Sequence, residues 1–368
     1  MKVLHVTKKY PNALGGDAVV VANLEKEQHA VGMQTAIITS RCDEIVDGSS
    51  IHKFGLRDTP AALDGISIKR LISLLMLFFK AFSVIAKEKP SVIHSHSIDM
   101  AFFVSFAARF YKVPIVHTFH VVTFNDPRQR GLRSKVELWL LKGAQPKRIF
   151  LLNPADEKDF AGAGFSNTVF VPNGVDIASW RPAKTRRGKP KKVQFIAVGR
   201  LEEQKGFEDL INAAARLSNH NLEFKILIVG EGSLQQQLQR LITTHELDSV
   251  VMLVGRKTST ELKQLYAESD AFILPSLWEG MPLSLLEAWA SGLPTICHSV
   301  SSVPFIAKGI SDLYENRNLE KLSSLMSRMI TKPAHRARVA HQCSNAVHEY
   351  TWDKVSRAIT EQYEGASV

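Results

Sequence analysis

Cysteine is scarce in this chain. Cys42, Cys297 and Cys343 are the only three, too far apart for a disulfide framework or a metal-ligand pair, which leaves buried thiols in a reducing compartment as the expectation. Long apolar runs are missing too. The richest stretch, Leu71 to Ala86, is too short to span a bilayer and is interrupted by Lys80. No basic-plus-apolar leader precedes the first strand pattern, since Met1 to Val6 runs straight into it, so a cytoplasmic location is expected. A D-x-D motif in a suitable strand context is absent, so nothing suggests a metal–diphosphate clamp. Acidic residues are outnumbered, 36 to 46, yet no helix-turn-helix, zinc or RNA-binding pattern accompanies the basic excess. Nucleic acid is therefore not the expected partner. Phosphorylated small molecules or an anionic lipid surface are.

What is present is the composition of a globular protein, 45% hydrophobic and 22% charged over 368 residues, enough for two domains with separate cores. Short apolar runs alternate with helical patterns: Val3 to Thr7, Ala18 to Val31, Thr35 to Thr39, Leu71 to Ala86, Val92 to His96, Phe102 to Phe110, Ile115 to Thr118 and Arg148 to Leu151. That rhythm predicts a doubly wound α/β domain. A Pro- and Lys-rich stretch from Asn173 to Lys192 reads as the interdomain linker. A second α/β alternation starts at Val193 and continues through Phe207 to Leu217, Lys225 to Val229, Val250 to Val254 and Ala271 to Leu274. The boundaries are drawn at residues 1–175 and 176–350, and the amphipathic pattern from Trp352 to Tyr363 marks a C-terminal helix within 351–368.

Several loops carry chemistry. After the strand ending at Leu274, Glu279 and Gly280 form a turn, and Pro282 is expected to open a helix running to a stop at Gly292. Backbone N–H groups at Met281, Leu283 and Ser284 would face outward there as a seat for phosphate. Glu279 and Glu287 stand eight positions apart. On the residues alone, either could equally be a solvated surface acid. Gly199-Arg200 follows another strand, and Arg200 and Lys205 could hold phosphate oxygens or be a solvated pair. Gly15-Gly16 follows the first strand as a turn or as a close backbone approach to a ligand. His120 lies beyond the strand Ile115 to Thr118. His94 and His96 share a face, either as core histidines or as metal ligands. The Leu71 helix, with Lys69, Arg70, Lys80, Lys87 and Lys89, fits a buried helix or one resting on an anionic bilayer.

Taken in order, Gly15-Gly16, His120, Pro172-Asn173-Gly174-Val175-Asp176, Gly199-Arg200, Lys205 and Glu279 to Glu287 resemble the motifs of glycosyltransferase family 4, retaining enzymes of GT-B fold. The stretch Pro275 to Ala288 is similar to that family's P-S-x-x-E-G-x-P-x-x-x-x-E-A. The resemblance implies two Rossmann-like domains facing a central cleft, with the C-terminal helix crossing back to the first. It implies transfer of a sugar from a UDP- or GDP-sugar to a glycan or lipid-linked acceptor, with no metal or other cofactor, in surface polysaccharide or glycoconjugate assembly. By the same resemblance, Arg200 and Lys205 bind the diphosphate with the amides of Gly16, Leu283 and Ser284. Glu279 binds the donor sugar and Glu287 the ribose, while His120 lines the sugar pocket and Arg256 borders the base. A sugar-nucleotide epimerase, a phosphorylase or a non-catalytic nucleotide-sugar-binding subunit would use the same residues. Two departures stand out: Ser301-Ser302-Val303-Pro304-Phe305 where the family has G-G-x-P-E, and Gly32-Met33-Gln34-Thr35 where it has G-H-E-V.

Overall fold

The computed structural model describes residues 1–10, 16–42, 50–55, 68–120, 131–182, 192–218 and 222–366. Gly15, the basic segment Arg128 to Arg130 and the basic run from Lys184 to Lys191 lie outside them. The chain divides into two compact units, Met1–Asn173 with Trp352–Val368, and Gly174–Thr351.

In unit 1 the elements are β1 (Lys2–Tyr10), α1 (Gly16–Ala30), β2 (Gln34–Cys42), β3 (Ser50–Lys53), α2 (Ile68–Glu88), β4 (Val92–Ser95), α3 (Ile98–Phe110), β5 (Ile115–Phe119), α4 (Leu132–Ala144), β6 (Arg148–Leu151), α5 (Asp156–Gly162) and β7 (Thr168–Phe170). The strands form one parallel sheet in the order β3-β2-β1-β4-β5-β6-β7. Strands such as β4 and β5 are buried along their whole length, as expected when helices cover both faces of a parallel sheet. The order reverses between β1 and β4. Such a reversal splays the connecting loops apart and opens a crevice at the carboxyl ends of the strands.

Unit 2 repeats the plan with α6 (Ile177–Trp180), β8 (Val193–Val198), α7 (Phe207–Ser218), β9 (Phe224–Val229), α8 (Gln235–Thr244), β10 (Val251–Leu253), α9 (Ser259–Glu268), β11 (Ala271–Leu274), α10 (Leu283–Ala290), β12 (Thr295–His298), α11 (Val303–Ala307), β13 (Asp312–Tyr314), α12 (Leu319–Thr331) and α13 (Pro333–Ala346). Its parallel sheet runs β10-β9-β8-β11-β12-β13, with the reversal between β8 and β11.

The last helix, α14 (Trp352–Ala366), belongs to unit 1. Where the chain enters and leaves unit 2, Val175 and Thr351 form a parallel bridge and Val175 N–H donates to Tyr350 C=O at 2.8 Å. The buried face of α14 carries Val355, Ile359 and Tyr363, spaced one helical turn apart. The hydroxyl of the fully buried Tyr363 reaches Gln28 Nε2 at 3.3 Å and His94 Nδ1 at 2.6 Å, fastening the helix to α1 and β4.

Helix α2 is apolar on two sides. Leu77, Ala81, Val84 and Ile85 are buried in the core with Leu4, Val6 and Ile93 of the sheet, while Ile68, Leu71, Leu75 and Phe79 of the same helix are exposed. No described helix is long and apolar enough to cross a membrane. Tyr363→Phe should cost about 1–3 kcal/mol of stability, because it removes a hydroxyl that buried polar groups use; urea unfolding measures it, and an unchanged midpoint would deny that this contact fastens α14.

Candidate functional site

The loops after β8 and β11, the two strands flanking the unit 2 reversal, are laced together by their backbones. Leu277 N–H donates to Gln204 C=O at 2.7 Å, and Gln204 Nε2 donates back to Trp278 C=O at 3.0 Å. Gly206 makes the approach possible. It adopts φ +62°, and a Cβ there would lie 2.1 Å from the Pro275 carbonyl oxygen, so only glycine fits. The loop after β9 comes equally close: a Cβ on Gly230 would lie 1.9 Å from Gly199 O.

This lacing brings Lys205 and Glu279 together. Lys205 Nζ donates to Glu279 Oε1 at 2.5 Å, with only 16% and 7% of the two side chains exposed. Glu279 also accepts from Ser276 Oγ at 2.7 Å, and its own N–H donates to Ser301 Oγ at 3.1 Å. Ser301 thus gives one of the departures a physical reading. It takes φ +53°, the left-handed region that favours the glycine it stands in for, and supplies a hydroxyl that a glycine lacks. Behind the loop, His298 Nδ1–H donates to Ser276 C=O at 2.9 Å, and its Nε2 accepts from Arg317 N–H at 3.2 Å. The ring is thereby fixed neutral, and burial lowers its pKa accordingly. Gln204, Ser276 and His298 were not singled out from sequence and Ser301 was marked only as a departure, because their contribution depends on which loops meet.

Arg200 is exposed beside this pair, its guanidinium 3.3 Å from Gln204 Oε1. Gly199 packs against the Lys205 side chain. Gly280 is half-buried and Met281 buried. Pro282 does not open the helix as expected. Its backbone is extended and it occupies the capping position, so α10 starts at Leu283, and the N–H groups of Leu283 and Ser284 are among those a helix start leaves without intrahelical partners. Gly292, at φ +77°, ends the helix where the sequence indicated. Arg256 is exposed, with Glu231 3.9 Å away, a separation at which a surface ion pair contributes little.

Glu287 is not a solvated acid. It points from α10 toward the buried Tyr266 of α9, whose hydroxyl lies 3.4 Å from Glu287 Oε2 and 3.2 Å from Ser284 O. Burial pushes its carboxyl up to about 7, against the opposing pull of Tyr266 and Lys263.

In unit 1, Gly16 is the exposed first residue of α1, and Asp17 follows it. His120 is half-buried just past β5, its Nε2 3.2 Å from His96 Nδ1. His117 lies in the core against Phe119, with its pKa pushed down to about 3 by burial.

The raised Glu287 pKa has a signed consequence. The folded chain holds a proton that the unfolded chain releases near 4.5, so this stabilisation is complete below about pH 4.5 and is lost as pH rises through about 7. Glu287→Gln is therefore expected to exceed the wild type in stability at about pH 8, by on the order of 1–3 kcal/mol, and to match it at about pH 4. Thermal unfolding at the two pH values measures this; equal midpoints at about pH 8 would place Glu287 in water.

Known proteins align with this arrangement along almost the whole chain. Residues 179–345 match the family model "Glycosyl transferases group 1", and residues 14–179 match "Glycosyltransferase Family 4". Glycogen synthase of Mycobacterium tuberculosis is 27% identical over 397 aligned positions, covering 99% of this chain and 94% of that protein. UDP-Gal:alpha-D-GlcNAc-diphosphoundecaprenol alpha-1,3-galactosyltransferase of Escherichia coli is 30% identical, covering 67% of this chain and 66% of that protein. The solved structure of sucrose-phosphate synthase from Thermosynechococcus elongatus superposes with a TM-score of 0.84 at 18% identity, covering 99% and 98% of the two chains. With the two family models meeting end to end and the parallel sheets arranged as described, the chain belongs to glycosyltransferase family 4 and has the GT-B fold.

Proposed function

We propose that this glycosyltransferase moves a hexose from a nucleotide-diphosphate sugar to a hydroxyl of a glycan or lipid-linked acceptor, with retention of anomeric configuration and no metal cofactor. The observation that carries the reading is the Lys205–Glu279 pair at the unit 2 reversal, a cation and a carboxylate held side by side at the carboxyl ends of strands. Lys205 and Arg200 would stabilise the negative charge that grows on the departing diphosphate. The Leu283 and Ser284 amides would add the partial positive charge of a helix start. Glu279, fixed by Ser276 and Ser301, would accept hydrogen bonds from donor-sugar hydroxyls, and Glu287 from the ribose. The acceptor oxygen bonds to the anomeric carbon on the face that the diphosphate leaves, and the acceptor proton passes to a phosphate oxygen of that leaving group. Gly15, Gly16 and His120 of unit 1 would bind substrate. A UDP- or GDP-sugar is the expected donor, and the Escherichia coli relative is named for UDP-Gal.

The acceptor side is supported by an exposed face of unit 1. Phe79 of α2, Phe110 of α3 and Trp139 of α4 are 71%, 70% and 62% exposed. Ring contacts between Phe78 and Phe106 at 5.6 Å and between Phe102 and Trp139 at 5.1 Å join the three helices into one apolar surface. Lys69, Arg109, Lys112, Lys135 and Lys142 are exposed on the same helices or beside them. Aromatic rings among cations suit an anionic bilayer interface, where a lipid-linked acceptor would reside.

Lys205→Ala and Glu279→Ala should each lower the transfer rate by about 10²–10³-fold while the thermal transition stays cooperative; wild-type rates in both would overturn the proposal. Proton NMR of the product should show the donor's anomeric configuration, and EDTA should leave the rate unchanged. Sedimentation with vesicles should show binding to phosphatidylglycerol but not to phosphatidylcholine alone, and Phe79→Ser with Trp139→Ser should weaken it by about tenfold; equal binding by the double variant would remove the membrane from the account.

A further inference from the structure

Unit 1 has a reversal point of its own, between β1 and β4, and around it stand histidines that the proposed donor chemistry leaves unexplained. His5 on β1 pairs in register with His94 on β4, His96 follows β4 and His120 follows β5. They are joined in a line that starts at Gln28 of α1. The Gln28 Oε1 can only accept, so His5 Nε2 carries the hydrogen and donates across 2.8 Å. Burial lowers the His5 pKa and keeps the ring neutral, so its Nδ1 is bare and accepts from His96 Nε2–H at 3.2 Å. His96 is buried and neutral for the same reason, so its Nδ1 in turn accepts from His120 Nε2–H at 3.2 Å. Each ring sets the tautomer of the next.

The anchor of the line is itself oriented. Gln28 Nε2 donates to Tyr363 OH at 3.3 Å, Tyr363 OH lies 2.6 Å from His94 Nδ1, and His94 Nε2 lies 2.7 Å from Thr118 Oγ1. Both ring nitrogens of His5, His94 and His96 are therefore engaged. The ligand atoms of these three lie within 4.8 Å of one another, yet a metal ion could bind them only by breaking those bonds. The line ends at His120 Nδ1, for which no hydrogen-bond partner occurs among the described residues. His120 is the one member of the line that is half-buried rather than buried. Burial lowers its pKa against the attraction of Asp17 at the start of α1, which keeps the ring neutral.

We propose that His96, oriented by His5 and Gln28, is a positioning residue that holds His120 as the Nε2–H tautomer, leaving a bare Nδ1 to accept a hydrogen bond from a substrate sugar hydroxyl. This rests on the glycosyltransferase reading of His120 given above. The substitution that separates positioning from packing is His96→Gln, whose amide N–H can donate to His5 while its carbonyl accepts from His120. His96→Leu fills similar space and can do neither.

The test uses the full chain labelled with ¹⁵N-histidine. Long-range proton–nitrogen spectra, assigned against His120→Gln, report which His120 nitrogen carries hydrogen without any substrate present. Wild type and His96→Gln should show protonated Nε2 and bare Nδ1 near neutral pH, and His96→Leu a mixture of tautomers. With a UDP-sugar as donor, His96→Leu should lose about tenfold or more in kcat with nearly unchanged donor KM, and His96→Gln should stay within about twofold of wild type. An Nδ1–H tautomer or an imidazolium in the wild type overturns the proposal, as does an unchanged kcat in His96→Leu. A chain that transfers no sugar at all overturns both the glycosyltransferase reading and the substrate role of Nδ1, while the nitrogen spectra still decide whether His96 sets the tautomer.

Discussion

The close contact between the Gly206 backbone and the Pro275 carbonyl is the constraint on which the rest of the candidate site depends. Two loops that leave neighbouring parallel strands in opposite directions around a sheet have no inherent reason to touch. Here the missing Cβ of Gly206 lets them meet, and two hydrogen bonds through Gln204 lock the meeting in place. Lys205 and Glu279 are then paired by geometry rather than by chance encounter of flexible side chains. Preorganisation of this kind gives fixed charges their value, because nothing must be rearranged when a new charge develops beside them.

The same constraint explains how a departure from the family text can leave the site intact. Ser301 takes a left-handed backbone conformation that favours glycine, at a cost of about 1 kcal/mol, and its hydroxyl accepts the Glu279 N–H. At the other departure, Thr35 is buried, and its hydroxyl is 2.8 Å from Glu25 Oε1 and 2.6 Å from His29 Nε2. At Thr35 the buried hydroxyl is met by neighbours, which removes most of the penalty of burying it, whereas at the first departure the buried Ser302 hydroxyl has no hydrogen-bond partner among the described residues.

Alternating apolar runs made the strands and helices legible, because a parallel sheet covered by helices imposes those two periods on the sequence. Short motifs marked Lys205 and Glu279 because each sits in a loop after a strand end, where local sequence decides the backbone, and Glu287 because it follows Glu279 at a fixed spacing on the next helix. Illegible were the features that depend on distant segments meeting. Nothing around Gln28 indicates that it would orient His5, because Tyr363 arrives from the far end of the chain. Nothing around Glu287 says whether it meets water or Tyr266. The capping position of Pro282 was missed because proline is compatible both with a first helical turn and with the extended residue before it.

Buried polar groups are met in two ways. Opposite charges come together at Lys205–Glu279 in unit 2 and at Lys2–Glu88 and Arg70–Asp99 in unit 1. Unit 1 also uses neutral rings: His5, His94, His96, His117 and His120 all have pKa values lowered by burial. Neutral imidazoles carry no net field toward a diphosphate, but they do carry a sense of direction, since each has one donor and one acceptor. A line of them transmits the orientation of one fixed amide to a distant ring without placing a charge in the core, where a single cation would be costly. For a sugar, whose hydroxyls differ in geometry rather than in charge, orientation is the property that a site needs to read.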